Sequence, residues 1–187
     1  MKADELLLER VSVARLGEPG PTDEQLDGMF RAALRAPDHG QLRPWRFLTV
    51  SAGERRRLGE LYAEAVLAKS PGAAPEALEK ARNMPLRAPL VIVVIARPQE
   101  HPKVPRLEQL LAAGCAAHGL LLSAHAQGLG AIWRTGEMAF ERVVEEGLGL
   151  SAGECILGFI YVGTPLGQPR NAPHLEPGDF VKNWPDD

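Results

Sequence analysis

The run LLAAGCAAHGLLLSAHA, Leu110 to Ala126, constrains this chain more than any other segment. A helix over Leu107–Gln127 would be apolar almost all the way round, so both of its faces need burial. A surface helix of a small domain has water on one side. At 187 residues the chain suits one domain over residues 1–187, and a helix of this kind must run through its centre. We therefore expect part of its surface to be covered by a second copy of the protein.

The other segments supply what packs around that helix. Ala3 to about Ala14 reads as a first helix. Thr22-Asp23-Glu24-Gln25 is a capping box for a second, which should stop at Ala36 because Pro37 follows. Arg46–Val50 reads as a strand, and Ser51-Ala52-Gly53-Glu54 as a capping box opening a helix to about Lys69. A short polar helix over Pro75–Arg82 comes next. Leu90–Ala96 is apolar on both faces, the mark of a central strand between helices. Ile132-Trp133 opens another strand, a helix follows near Phe140–Glu146, and Ile156–Val162 is the last strand. From about Gly163 the chain carries prolines at 165, 169, 173, 177 and 185, which predict an extended C-terminal arm. The fold class is α+β (mixed α/β), a small central sheet flanked by helices.

Composition narrows the function. Net charge is -3, with no basic run, which argues against nucleic-acid binding. Membrane insertion is not expected, since Leu90–Ala96, read as the longest strongly apolar stretch, is far short of the ~20 residues that span a bilayer. The charged N-terminus has no signal-peptide core, so a cytoplasmic protein is expected. Cys115 and Cys155 form no metal spacing and read as small buried thiols.

Side-chain chemistry alone yields no catalytic machine. Gly128-Leu129-Gly130 follows a helix and has Trp133 where a dinucleotide loop needs glycine. His118 and His125 lack a third ligand, so no metal is expected. Cys115 has nothing near it to lower its pKa, and there is no Gly-x-Ser-x-Gly elbow. An enzyme built this way would have its chemistry carried by a cofactor. What remains suits a phosphorylated aromatic ligand: Arg10 and Ser12 after the first helix, Arg35 and His39 flanking the Pro37-Asp38-His39-Gly40 loop, and Arg134 after Trp133.

LLLERVSVARL, RAALRAPDHGQLRPWRFLTV, ARNMPLRAPLVIVVIA, HPKVPRLEQLLAAGCAA, AQGLGAIWRTG and LGFIYVGTP occur in that order from about residue 4 to residue 165. Together they resemble the FMN-dependent nitroreductase family, and most closely its short bacterial NAD(P)H nitroreductases of the YdjA type. The resemblance implies an intertwined homodimer with two FMN sites at the subunit seam. It implies FMN contacts from Arg10, Val11 and Ser12. Contacts to a flavin shared with the partner chain would come from Arg35, His39 and Gln41, with Ala131, Ile132, Trp133 and Arg134 closing over the cofactor. It further implies that NAD(P)H is co-substrate, giving a hydride to flavin N5. An electron-poor acceptor such as a nitroaromatic or quinone then takes its place, and no catalytic side chain is required. Two alternatives stay open: flavin fragmentation or dehalogenation on the same fold, or a flavin-binding module with little turnover. Trp45 reads as core packing rather than flavin stacking. The chain departs from the family pattern at Val11, where arginine is usual, at Ala14, where a cation is common, and at Gln41 and Arg43. These positions bear on FMN affinity and redox potential.

Overall fold

The structure, a computed structural model, describes residues 1–184. Its centre is an antiparallel five-stranded sheet in the order β1-β5-β3-β2, with β4 (Gly130–Arg134) also paired to β5. The others are β1 (Leu16–Gly17), β2 (Trp45–Ser51), β3 (Leu90–Ala96) and β5 (Cys155–Pro165). All seven residues of β3 are buried. The reason is alternation: Ile92, Val94 and Ala96 face one helical layer, while Val91, Val93 and Ile95 face the other. Each of these Val and Ile side chains contributes about 1.5–3 kcal/mol by leaving water.

On the first face lie α2 (Asp23–Ala33) and α5 (Arg106–Ala126), packed through Met29, Ala33, Ala113, Ala117 and Leu120. On the second lie α3 (Glu54–Lys69), α4 (Pro75–Asn83) and α6 (Arg142–Gly147), with Tyr62 set edge-on to Phe159 at 5.6 Å between ring centroids. The expected mixed fold with a sheet between helices is what forms.

Three local expectations are corrected. Helix α1 is only Ala3–Glu9, and Arg10 already has extended ψ of 127°. The chain leaves the helix because the Val13 N–H bonds the Ala131 carbonyl of β4 (3.0 Å), a strand-like contact that outweighs helical propensity. Helix α2 stops at Ala33, three residues before the predicted end; Arg35 and Ala36 finish it with tight turns onto Ala32 and Ala33. The capping box at Ser51 does not form: Ser51 belongs to β2, and Gly53 caps α3 with no side-chain bond. The Thr22 box does form, Thr22 Oγ1 accepting from Gln25 N (3.2 Å) and Gln25 Oε1 from Thr22 N (2.9 Å). Trp45, 7% exposed, packs in the core.

Helix α5 is half sealed. Gln109, Ala112, Ala113, Ala116, Ala117, Leu120, Leu121 and Ala124 are buried. Leu107 (66% exposed), Leu111 (61%), Cys115 and His118 form an open outer face, so Cys115 is not the buried thiol expected from sequence. By length and composition α5 could cross a membrane; here its inner face is core. Beyond Pro165 the described chain has only one 3-10 turn, Pro177–Asp179, and exposes Leu175, Phe180, Val181 and Trp184. Pro185, the last proline of the expected arm, lies outside the described residues.

Candidate functional site

The residues expected to hold a phosphorylated ligand fall into two groups. The first surrounds the N-terminal strap. Val13 bonds Ala131, and Leu166 N donates to Arg15 O (2.9 Å), so residues 12–15 are fixed between β4 and the start of the arm. Ser12, Ala14, Arg15, Pro169 and Arg170 line a cavity of about 300 Å³ there. A hydroxyl beside two guanidinium groups suits a phosphate. Val11 turns its side chain into the protein at 9% exposure, which leaves only its backbone for a ligand. The sequence reading missed Arg170. The available signal was that Arg170 and Lys182 are the arm's two cations.

β4 continues from this strap. Ala131 and Trp133 pack toward α5, whereas Ile132 packs on the opposite face and Arg134 holds its guanidinium 6.0 Å from the Tyr161 ring centroid. These four side chains therefore divide between the two faces of one strand. The indole N–H of Trp133 is taken by Leu157 O (3.2 Å). Because Ala131 O points away from β5 to Val13, the backbone N–H and C=O of Trp133, two residues on, project from the same outer edge. On its second face, β4 borders a cavity of about 480 Å³ lined by Tyr62, Met84, Arg87, Arg134, Thr135 and Tyr161 among others. Burial pushes the Tyr161 phenol up, with Arg87 and Arg134 pulling the other way. Burial raises Tyr62 further, and among the described residues its hydroxyl has no hydrogen-bond partner.

The second group is the loop after α2. Gly40 (φ 74°), Gln41 (φ 54°) and Arg43 (φ 48°) all adopt left-handed backbone, costly for the two non-glycine residues. Asp38 holds the shape by accepting from Leu42 N (3.0 Å) and Arg43 N (2.8 Å). The Arg43 guanidinium folds back onto the Gln41 carbonyl. Gln99 Nε2 donates to Leu42 O (3.0 Å), and Gln99 is itself fixed by Gln109, 2% exposed, which makes three hydrogen bonds to residues 99–104. His39 Nδ1 lies 2.7 Å from Glu108 Oε2 at the start of α5, and Arg35 and Gln41 are exposed. Asp38, Gln99, Glu108 and Gln109 were not singled out from sequence. Each acts through a pairing that the fold creates.

Among the described residues, no hydrogen bond or ion pair joins Arg35, His39 or Gln41 to the strap or to β4. Both groups are mounted on α5. His39 meets its first turn, while Leu129 N bonds Ala124 O (2.9 Å) near its other end and turns the chain back into β4. Glu108 and Ala124 are about 24 Å apart along the helix.

With that geometry in view, the comparisons with known proteins identify the class. Residues 7–164 match the Nitroreductase family, and the chain belongs to it. It is 45% identical over 165 residues to "Putative NAD(P)H nitroreductase YdjA" of Escherichia coli (strain K12), covering 88% of this chain and 89% of that one. The structure of the nitroreductase-like family protein from Bacillus cereus superposes with a TM-score of 0.81 at 22% identity, over 100% of this chain and 97% of that one. A variant of the FMN and NADPH-dependent nitroreductase NfnB from Sphigopyxis sp. strain HMH superposes at 0.76 and 17% identity over the whole of both chains. These two structures share the fold, and family membership makes this chain an oxidoreductase of nitroreductase type.

Proposed function

We propose that the protein is an FMN-dependent NAD(P)H oxidoreductase that reduces electron-poor acceptors such as nitroaromatics or quinones. In this reading it works as a homodimer with a flavin site on each side of the seam. The observation that carries the reading is the division of the site along α5. The strap and β4 group and the His39 loop sit about 24 Å apart on one helix, whose outer face is apolar and open at Leu107 and Leu111. Two such helices packed antiparallel about a twofold axis would bring each chain's loop to the other chain's strap. That packing would also cover the outer face and the exposed Leu7 and Leu8 of α1.

The residues present fit FMN. Ser12, Arg15 and Arg170 offer a hydroxyl and two guanidinium groups to a dianionic phosphate, and Arg10, the C-cap of α1, stands two residues before Ser12 in the chain. The open outer edge of Trp133 offers one backbone donor and one acceptor to a ring edge. FMN, when bound, supplies two-electron exchange between NAD(P)H and the acceptor. The chain's own part is to orient and to exclude water. Asp38 and Gln109 hold the loop so that His39, braced by Glu108, reaches the partner's side of the seam as a contact, with no acid or base required. NfnB is FMN and NADPH-dependent by name, which supports the same assignment. The two free thiols fit a reducing, cytoplasmic compartment.

The test is an anaerobic titration of the FMN-loaded protein with NADPH and then NADH, followed in the visible spectrum. Bleached flavin bands, recovered on adding a nitroaromatic or quinone, support the reading. Bound flavin that stays oxidised with both donors makes the protein a flavin-binding module. Product analysis separates reduction from flavin fragmentation or dehalogenation.

A further inference from the structure

The cavity on the second face of β4 is furnished with hydrogen-bond donors that the fold does not use. Tyr62 lines it at 1% exposure, and among the described residues its hydroxyl has no hydrogen-bond partner. A buried hydroxyl in that position costs free energy unless something outside the chain satisfies it. Burial, and then the neighbouring Tyr161, push the Tyr62 phenol up, and burial does the same to Tyr161. Both phenols therefore keep their protons at neutral pH and can donate. Arg134 holds its guanidinium 6.0 Å from the Tyr161 ring centroid, and Arg87 lies near enough to pull the same phenol down. Among the described residues neither arginine forms an ion pair, although Arg31, Arg46, Arg55, Arg82, Arg97 and Arg142 all do. Glu137, the acidic side chain lining this cavity, is instead turned to Lys69 (3.3 Å).

Two guanidinium groups and two phenol donors call for an anion with several lone pairs, and a carboxylate supplies them. The remaining walls, Met84 and Phe159 among them, are apolar. They call for a flat hydrocarbon body behind the charge, since a compact anion alone would leave them wet. The volume of about 480 Å³ lies in the range of small-molecule sites. We propose that this cavity is a binding site for a small aromatic carboxylate, held by Arg87, Arg134, Tyr62 and Tyr161. It lies on the α3 side of the sheet, across from α2 and α5, and the proposal does not rest on the FMN reading.

The experiment is isothermal titration calorimetry of the purified full-length protein with benzoate, with its neutral counterpart benzamide, and with inorganic phosphate. Wild type, Arg87→Gln and Tyr62→Phe are compared. Benzoate should bind at one site per chain with a Kd below about 1 mM, a modest affinity suited to so small a ligand. Benzamide and phosphate should each bind at least about tenfold more weakly, the first lacking the charge and the second the ring. Each variant should lose at least about tenfold in benzoate affinity, the effect of removing one hydrogen bond to a charged group. Without ligand, Tyr62→Phe should melt at or above the wild-type temperature, because a buried hydroxyl without a partner has been removed. Wild-type protein that gives no benzoate binding overturns the proposal. Binding that either variant retains at full strength places benzoate elsewhere on the chain and overturns it too. Phosphate bound as tightly as benzoate would make this a site for bare anions, against the proposal. A lowered Tyr62→Phe melting temperature would give that hydroxyl a partner within the fold and overturn its role as a ligand donor. Arg87 is exposed, so its variant decides the matter even if Tyr62→Phe does not fold.

Discussion

Glu154 shows how a single residue is given its properties by the fold. Its carboxylate, 9% exposed, accepts from Arg46 Nε (2.8 Å) and Nη2 (2.7 Å), from Ser151 N (2.9 Å), and pairs with Arg97 (3.1 Å). The Arg46 contact chiefly lowers its pKa, to about 2. A carboxylate depressed in the folded state contributes stability above its unfolded pKa and loses it as pH falls through the folded value. Thermal midpoints should therefore drop between about pH 4.5 and pH 2, with up to roughly 3 kcal/mol at stake. Glu154→Gln should be less stable at neutral pH and show a flatter acid limb by calorimetry. A variant curve parallel to wild type would show that the pairing contributes nothing. Asp38 makes a second case. Asp38→Ala strands the N–H groups of Leu42 and Arg43 and releases the left-handed turn. We expect a loss of about 1–3 kcal/mol, read as a lower denaturant midpoint, together with weaker FMN binding by flavin fluorescence. Retained FMN affinity in a destabilised variant would separate the loop from the cofactor.

At the scale of elements, the boundaries show where local signals sufficed. β3, α4 and α5 match their sequence patterns to within a residue, because each pattern is strong and continuous. α1 fell short at Glu9 because the next residues are captured by β4, a partner that lies about 120 positions away in the chain. The crossing of α3 and α4 rests on Gly59: a Cβ there would overlap the Arg82 carbonyl oxygen. Alanine is the better helix former by about 1 kcal/mol, yet overpacking costs about 1–3 kcal/mol and a backbone carbonyl yields little. Gly59→Ala should therefore be net destabilising, with a lower thermal midpoint. A stabilised variant would mean that the two helices slide apart freely.

For the whole molecule, the open face of α5 is the consequential feature. Leu111→Glu places a charge on the proposed seam while leaving the inner face of α5 untouched. The variant should sediment as a monomer, keep its helical content, and lose FMN affinity by at least about tenfold, since each flavin then meets only one half-site. A folded monomer that binds FMN as tightly as wild type would place the complete site within one chain. The sequence by itself determined the mixed fold, the central helix and its excess of apolar surface. It also offered Arg10, Ser12, Arg35, His39 and Arg134 as candidates for holding a phosphorylated aromatic ligand. Those are consequences of periodicity and residue type, which act over a few positions. Only the tertiary structure decided that the side chains at 131–134 split between two faces, that Arg170 joins Ser12, and that Gln109 and Glu108 brace the loop. Each of these depends on distant segments meeting across the sheet or along α5, and the free energy of such a meeting is fixed by packing geometry that no local pattern encodes.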